Sequence, residues 1–285
     1  MPVGVLDVGS NTTRLLVARV EHGEIVAVDK DKVRLPLGEE IERFGAVSDV
    51  HVAAVAKAVR KLAKRARTHG VDSLDVFLTA PGRQSANADE LVSALTRASG
   101  VRARVLSKDE EGRLAYAGAV ATAPIALPAL IAVCDVGGAS TEIAIGSPGT
   151  APGWIESVDL GSVRLTTRVA SLAEAEEETT AAFAHLEPQR VEAALAVGGS
   201  ARAARRLVGS HLGAEELAEA LRLVEKEPGR ALARRFGVDR ARARILPAGI
   251  VLLAEVQRLL GVPLVVCNGG IREGAVLESA AVRAA

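Results

Sequence analysis

The sequence predicts an α/β protein in two halves, each a mixed β-sheet flanked by helices. Three observations carry this. An apolar, strand-length run ending in Asp-Val-Gly occurs twice, at Val3 to Val8 and at Ala129 to Val136. In each half strands come first and crossover helices follow, which implies an α/β fold with mixed sheets. A chain of 285 residues with 49% hydrophobic content is long enough for two ordinary cores.

The elements follow in order. Val3–Val8 is a strand, and Thr13–Val20 and Glu24–Leu35 continue it around the turn at His22-Gly23. Ser48-Asp49 opens a helix that ends near Gly70. Ser73–Thr79 reads as a buried strand, Asn87–Ser99 as a helix and Val101–Leu106 as a strand; Ser107 opens a helix to about Thr122. Pro124 and Pro128 break the pattern and mark the boundary, giving domains at 1–123 and 124–271. The opening scheme then returns, with strands at Ala129–Val136, Thr141–Ile145 and Ile155–Leu160. An acidic helical stretch lies around Glu174–Glu178, and Ala194–Val197 is a strand ending at Gly198-Gly199. Pro247–Leu260 is helical, Pro263–Cys267 is a strand, and Asn268-Gly269-Gly270 leads into a last helix, about 272–285.

Composition narrows the function. The 35 basic and 35 acidic residues cancel, which excludes a surface coated for nucleic acid or membrane binding but not a local basic site. Six aromatics (Phe44, Phe77, Tyr116, Trp154, Phe183, Phe236) are too few for base-stacking platforms. Cys134 and Cys267 form no CxxC and read as reduced, buried thiols. No apolar run has transmembrane length and the first residues lack the basic start of a signal peptide, so a cytoplasmic protein is expected.

Two glycine turns are the central feature: Asp7-Val8-Gly9-Ser10-Asn11-Thr12-Thr13 and Asp135-Val136-Gly137-Gly138-Ala139-Ser140-Thr141-Glu142. Each lies between two strands. Glycine lets bare N–H groups approach an anion, and Ser10, Ser140 and Thr141 add hydroxyl donors. A carboxylate at a strand end, Asp7 or Asp135, can hold a metal bound to phosphate oxygens. One such turn would be hairpin chemistry; two at equivalent places point to a shared phosphate cleft. Gly198-Gly199-Ser200 and Asn268-Gly269-Gly270 are further strand-to-helix junctions able to face an anion. Rival motifs are missing: no Gly-Lys pair for a P-loop, no GxSxG elbow, and five histidines scattered without metal-ligand spacing.

Ser107 and Glu110 form a capping-box pattern. Glu111, one position on, points to a different side of the helix, where a carboxylate at the domain junction can orient and deprotonate a water. Arg83, between a strand and a helix, can fork phosphate oxygens. Arg222 to Arg244 holds eight basic residues against three acidic ones, a solvated helix face or a track for a polyanion.

In this order the motifs resemble the exopolyphosphatase/guanosine pentaphosphate phosphohydrolase (Ppx/GppA) family, in its short form, of the superfamily of acetate and sugar kinases, Hsp70 and actin. The resemblance rests on the two turns, Glu110-Glu111-Gly112-Arg113, Asp159-Leu160-Gly161-Ser162-Val163-Arg164-Leu165-Thr166, Leu246-Pro247-Ala248-Gly249 and Asn268-Gly269-Gly270-Ile271-Arg272-Glu273-Gly274. It implies two ribonuclease-H-like (actin-like ATPase) domains with the active-site cleft between them and the last helix packed back on the first. It further implies Glu111 as catalytic base, Arg83 as a polyphosphate ligand, and Asp135, Gly137 and Glu142 at the metal–phosphate site. Gly9, Ser10, Asn11 and Gly138 are then phosphate contacts and Asp7 a metal ligand. Ala139, Ala80-Pro81-Gly82 and Asn268 depart from the family pattern. The extra C-terminal helical domains of long members are missing, from which a preference for shorter chains or a less processive grip is expected.

The expected activity is a Mg²⁺-dependent (or other divalent-metal) exopolyphosphatase that removes terminal phosphate from inorganic polyphosphate, with a homodimer as its assembly. Guanosine pentaphosphate hydrolysis, a kinase of the same superfamily, and a non-catalytic polyphosphate or nucleotide sensor are the alternatives.

Overall fold

The computed structural model describes residues 1–227 and 229–284; Pro228 and residue 285, the expected end of the last helix, lie outside them. The first half runs β1 (Val3–Val8), β2 (Thr12–Glu21), β3 (Glu24–Arg34), α1 (Leu37–Phe44), α2 (Asp49–Thr68), β4 (Ser73–Leu78), α3 (Ala80–Gln84), α4 (Ala88–Ser99), β5 (Arg104–Val105) and α5 (Lys108–Val120). The second runs β6 (Ile131–Val136), β7 (Thr141–Gly146), β8 (Trp154–Val158), α6 (Ser162–Arg168), α7 (Leu172–Phe183), β9 (Ala193–Val197) and α8 (Gly198–Val208). It continues with β10 (His211–Leu212), α9 (Ala214–Lys226), α10 (Gly229–Phe236), α11 (Arg240–Leu260), β11 (Leu264–Val266) and α12 (Ile271–Ala284).

The sheets share a five-strand topology, to which the second adds an edge strand, β10, antiparallel to β11. The first has the order β3-β2-β1-β4-β5 and the second β10-β11-β9-β6-β7-β8. In both, three antiparallel strands are followed by parallel ones across the first strand, β1 to β4 and β6 to β9. This is the pair of ribonuclease-H-like sheets expected from the motifs.

The continuous apolar runs follow from burial on both faces of each sheet. Leu6 and Val8 face the core under α2 and α4, while Val3 and Val5 pack with Leu114 of α5 and Val276 of α12. In the second sheet Ala132, Cys134 and Val136 face α11, and Ile131 and Val133 meet Ala115, Tyr116 and Ala119 of α5. Helices α5 and α12 therefore form a shared layer between the sheets.

Glycines make that layer possible. A Cβ at Gly118 would fall on the carbonyl of Gly270, and one at Gly274 on the carbonyl of Leu114, so the two backbones are in direct contact. Both cysteines are buried free thiols, and Cys267 donates to the Thr122 carbonyl at 3.2 Å, tying the α12 approach to the end of α5.

Several stretches differ from expectation. Helix α11 begins at Arg240 rather than at Pro247, which lies inside it. Residues 80–84, expected as loop, form a helical turn started by Pro81, with Gly82 pressed against Val105. The expected strand over 101–106 pairs in register only at Arg104 and Val105, on a sheet edge. Short helices α1 and α6 replace what read as connections; each is anchored by bonds to a glycine turn.

Candidate active site

Each glycine turn is closed by one equivalent bond, Gly9 N–H to the Thr12 carbonyl (3.2 Å) and Gly137 N–H to the Ser140 carbonyl (3.0 Å). Their other carbonyls are held from outside. Gly38 N–H bonds the Ser10 carbonyl at 2.7 Å; Val163 and Arg164 N–H groups bond the Gly138 carbonyl at 2.8 and 3.0 Å. With the carbonyls drawn outward, the turn N–H groups are the donors left for the cleft. The turns nearly touch: a Cβ at Gly138 would stand 3.1 Å from the Ser10 Cβ.

Strand register sets the charges. Asp7 and Asp135 are penultimate in β1 and β6, and they lie opposite Arg14 and Glu142 respectively. Equivalent positions thus carry Arg14 in the first half and Glu142 in the second.

Asp7, Gly9, Ser10, Asn11, Glu111, Asp135, Gly137, Gly138 and Ser140 line one cavity, with Gly198, Gly199 and Arg242. Gly198 takes φ +88° beneath the Asp135 carboxylate, where a Cβ would collide with Oδ1. The α8 N-terminus has no side-chain cap and points its positive end into this cavity. Three expected residues do not line the cavity. Thr141 is fully buried and its hydroxyl donates to the Leu160 carbonyl at 2.7 Å. Glu142 stands behind, with Oε1 accepting from Ser157 Oγ at 2.9 Å and Oε2 buried without a partner. Arg83 reaches the cavity only through Glu111, its Nη1 donating to Glu111 Oε2 at 2.6 Å and to the Leu106 carbonyl at 2.9 Å.

The capping box forms as read: Glu110 N–H donates to Ser107 Oγ and Ser107 N–H to Glu110 Oε2. Glu110 is thereby occupied, and Glu111 turns inward, 5% exposed. Gly112 follows because α5 there presses on Ile155 of β8.

Burial and neighbouring carboxylates crowd the site. Burial, then Glu142, push the Glu111 carboxyl well above the usual range, against the opposing pull of Arg83. Burial and Asp135 raise Glu142 to about 7. Asp7 and Asp135 are raised as well, chiefly by burial. Because the folded state holds these protons more tightly than the unfolded chain, metal-free protein should lose stability as pH rises from the ordinary carboxylate range to about 7. Thermal denaturation in chelator across pH 5 to 8 measures this; stability rising through that window would contradict it.

A larger cavity of ≈ 970 Å³ shares Asn11, Thr12, Arg14, Gly199 and Arg242 with the first. Arg14, Lys30, Lys32, Arg34, Arg202, Arg206, Arg242 and Arg272 line it against Asp31, Asp239 and Glu273, with no aromatic among its described residues. Burial and the positive charges of Arg14 and Arg272 lower Arg202 to about 10; burial, Arg14 and Arg34 do the same to Arg242. Arginines packed so that they repel one another make this cavity strongly positive.

Arg14, Arg202 and Arg272, which line this cavity, are not among the site residues expected from the sequence. The signal for Arg14 was present, since strand alternation across the turn sets it opposite Asp7. The basic run at 222–244 is not a continuous track: Arg242 lines both cavities, while Arg222, Arg235 and Arg244 pair with Glu219, Glu227 and Glu39. His51 and His69 sit in pairs with Glu40 and Asp29.

The profile of the Ppx/GppA phosphatase family matches residues 16–282. The chain belongs to that family. Among Ppx/GppA relatives, it is similar to exopolyphosphatase 1 of Mycobacterium leprae, 27% identical over 98% of this chain and 89% of that protein. An uncharacterized Streptomyces coelicolor protein is 33% identical over 58% of this chain and 49% of its own length. The fold matches the Aquifex aeolicus Ppx/GppA family member at TM-score 0.84, with 20% identity, covering 99% of this chain and 98% of that one. An exopolyphosphatase from Cytophaga hutchinsonii matches at TM-score 0.88, with 17% identity, over 98% and 97%. The Ppx/GppA chain thus has the actin-like ATPase fold expected from its motifs. Among its described residues no helix is long and apolar enough to cross a membrane.

Proposed function

We propose that the protein is an exopolyphosphatase, hydrolysing the terminal phosphate of inorganic polyphosphate by in-line attack of water. One observation carries the reading: two glycine turns and a buried Glu111 meet in one cavity that opens into an arginine-lined one. The organisation proposed with it is one lobe of residues 1–123 with the last helix and another of 124–271, since each sheet has its own core.

The terminal phosphoryl group would sit between Ser10 and Gly138, on the turn N–H groups and the α8 N-terminus. Fixed donors there stabilise charge on the transferred group without reorganising. Glu111 would orient the water and accept its proton. Arg83 holds the Glu111 carboxylate and favours its charged form, while its Nε and Nη2 stay buried without partners. Behind the terminal group, Arg14, Arg202, Arg242 and Arg272 would hold the chain. The lack of an aromatic wall favours a bare phosphate chain over guanosine pentaphosphate.

The residues fit a Mg²⁺ ion. Asp7 and Asp135 line the cavity with hard oxygen donors, and Glu142 stands behind with its Oε2 buried without a partner. No three such side chains, among the described residues, converge to enclose a metal alone. Bound there, the ion would neutralise charge on the phosphoryl oxygens.

Orthophosphate release measured against chain length, with guanosine pentaphosphate in parallel, tests the reading. Polyphosphate should be the better substrate; turnover of guanosine pentaphosphate alone would reject it. Arg202→Ala should raise KM for long chains by ~10-fold or more, as loss of a charge-assisted contact of ~1.5–3 kcal/mol implies, with a smaller effect on pyrophosphate. Equal KM changes for both would contradict the assignment.

A further inference from the structure

The Asp159–Arg164 segment has no role in the chemistry above, yet it makes a dense polar contact between the halves. The Arg164 N–H braces the Gly138 carbonyl at 3.0 Å, so its backbone holds the second glycine turn. Its side chain reaches the other half: Nε donates to Glu42 Oε2 at 2.7 Å, and Nη2 to Gln84 Oε1 at 2.8 Å. Nη1 returns to the Asp159 carbonyl at 2.7 Å, leaving all three guanidinium nitrogens engaged. The Arg164–Glu42 pair is almost dry, with side chains 11% and 14% exposed.

Asp159 completes the contact. Its Oδ1 accepts from Gln84 Nε2 at 3.0 Å and its Oδ2 from Lys108 Nζ at 2.7 Å. Gln84 is the neighbour of Arg83. Lys108 opens α5, one turn before Glu111. The two elements that carry Arg83 and Glu111 are therefore each tied, by one hydrogen bond, to the same carboxylate of the opposite half. Two surface charges would not need this geometry: a planar fork meeting three acceptors from three segments fixes orientation as well as attraction.

We propose that Arg164 and Asp159 are positioning residues, which hold Arg83 and Glu111 in place over the second glycine turn. The proposal rests on the exopolyphosphatase reading for its effect on turnover, but not for the contact itself. Reacting groups displaced by about 1 Å can cost ~10²-fold in rate.

The experiment compares purified Arg164→Met, Arg164→Lys, Gln84→Ala and the Arg164→Met/Gln84→Ala double variant with the parent protein. Arg164→Met should lower kcat on polyphosphate by ~10- to 10²-fold while KM changes by less than ~3-fold. The double variant should lose less than the sum of the two single losses, since the Arg164–Gln84 bond is common to both, while Gln84→Ala also removes the bond to Asp159. Lys keeps the charge toward Glu42 but cannot reach three acceptors, so Arg164→Lys should stay impaired. Full kcat in folded Arg164→Met, additive losses, or complete rescue by Lys would overturn the proposal. Amide exchange across residues 80–84 and 108–111 reads the contact without any substrate. Exchange ~10-fold faster in Arg164→Met supports it, and unchanged exchange overturns it. A parent protein that releases no phosphate would reject the exopolyphosphatase reading and leave the exchange result standing.

Discussion

Glu111→Gln is expected to lower kcat on polyphosphate by ~10²-fold or more, about 2.7 kcal/mol of transition-state stabilisation, with the fold intact. The size follows from the role: removing a general base typically costs two to four orders of magnitude. The isosteric amide keeps an oxygen for Arg83 Nη1, so the 2.6 Å contact survives as a hydrogen bond from the guanidinium to a neutral acceptor. What disappears is the proton acceptor. Stability should not fall, because Glu111 stands among carboxylates that repel it, Glu142 foremost. Steady-state kinetics with thermal denaturation separate the two effects. A variant with unchanged turnover removes Glu111 from the mechanism, and one that unfolds assigns it to structure instead.

Gly274→Ala is expected to destabilise the protein by ~3 kcal/mol or more, and to lower Tm by roughly 5–10 °C for a chain of this size. Two effects compete. Alanine gains about 1 kcal/mol over glycine as a helix residue. Against this, the new methyl group would overlap the Leu114 carbonyl, a backbone atom of α5 that no rotamer change can move. The helices must part, and the strain exceeds the propensity gain. Parting them also shifts Glu111, one turn before Leu114, so turnover should fall with stability. Gly153→Ala is the matched control, since a Cβ there meets nothing within 4 Å. Equal Tm for the two variants would show that the α5–α12 contact is looser than its geometry.

Much of this arrangement was legible beforehand. The strands of the first and second sheets, the shared topology and the pairing of the glycine turns follow from apolar runs punctuated by Asp-Val-Gly. Glu111 could be singled out because Ser107 and Glu110 satisfy each other and turn the next residue inward. The remainder depends on distance in space rather than along the chain. Arg14, Arg202 and Arg272 come from three elements, and only folding brings their charges together. Thr141 has the right residue type in the right motif, yet β7 points its hydroxyl at Leu160. Arg83 read as a loop residue because Pro81 and Gly82 mimic a turn, whereas the proline starts a helix and the glycine lets it lie on Val105. Helices α1 and α6 lack periodic patterns of useful length, and their anchors are the glycine-turn carbonyls themselves.

The central claim is that water attacks the terminal phosphate inside this cleft. Single-turnover hydrolysis of a defined polyphosphate in ¹⁸O-enriched water with Mg²⁺ tests it most directly. Each orthophosphate released should carry one ¹⁸O atom from solvent, and Glu111→Gln should release it ~10²-fold more slowly. Unlabelled orthophosphate, or tight binding of the chain with no release, would contradict the account.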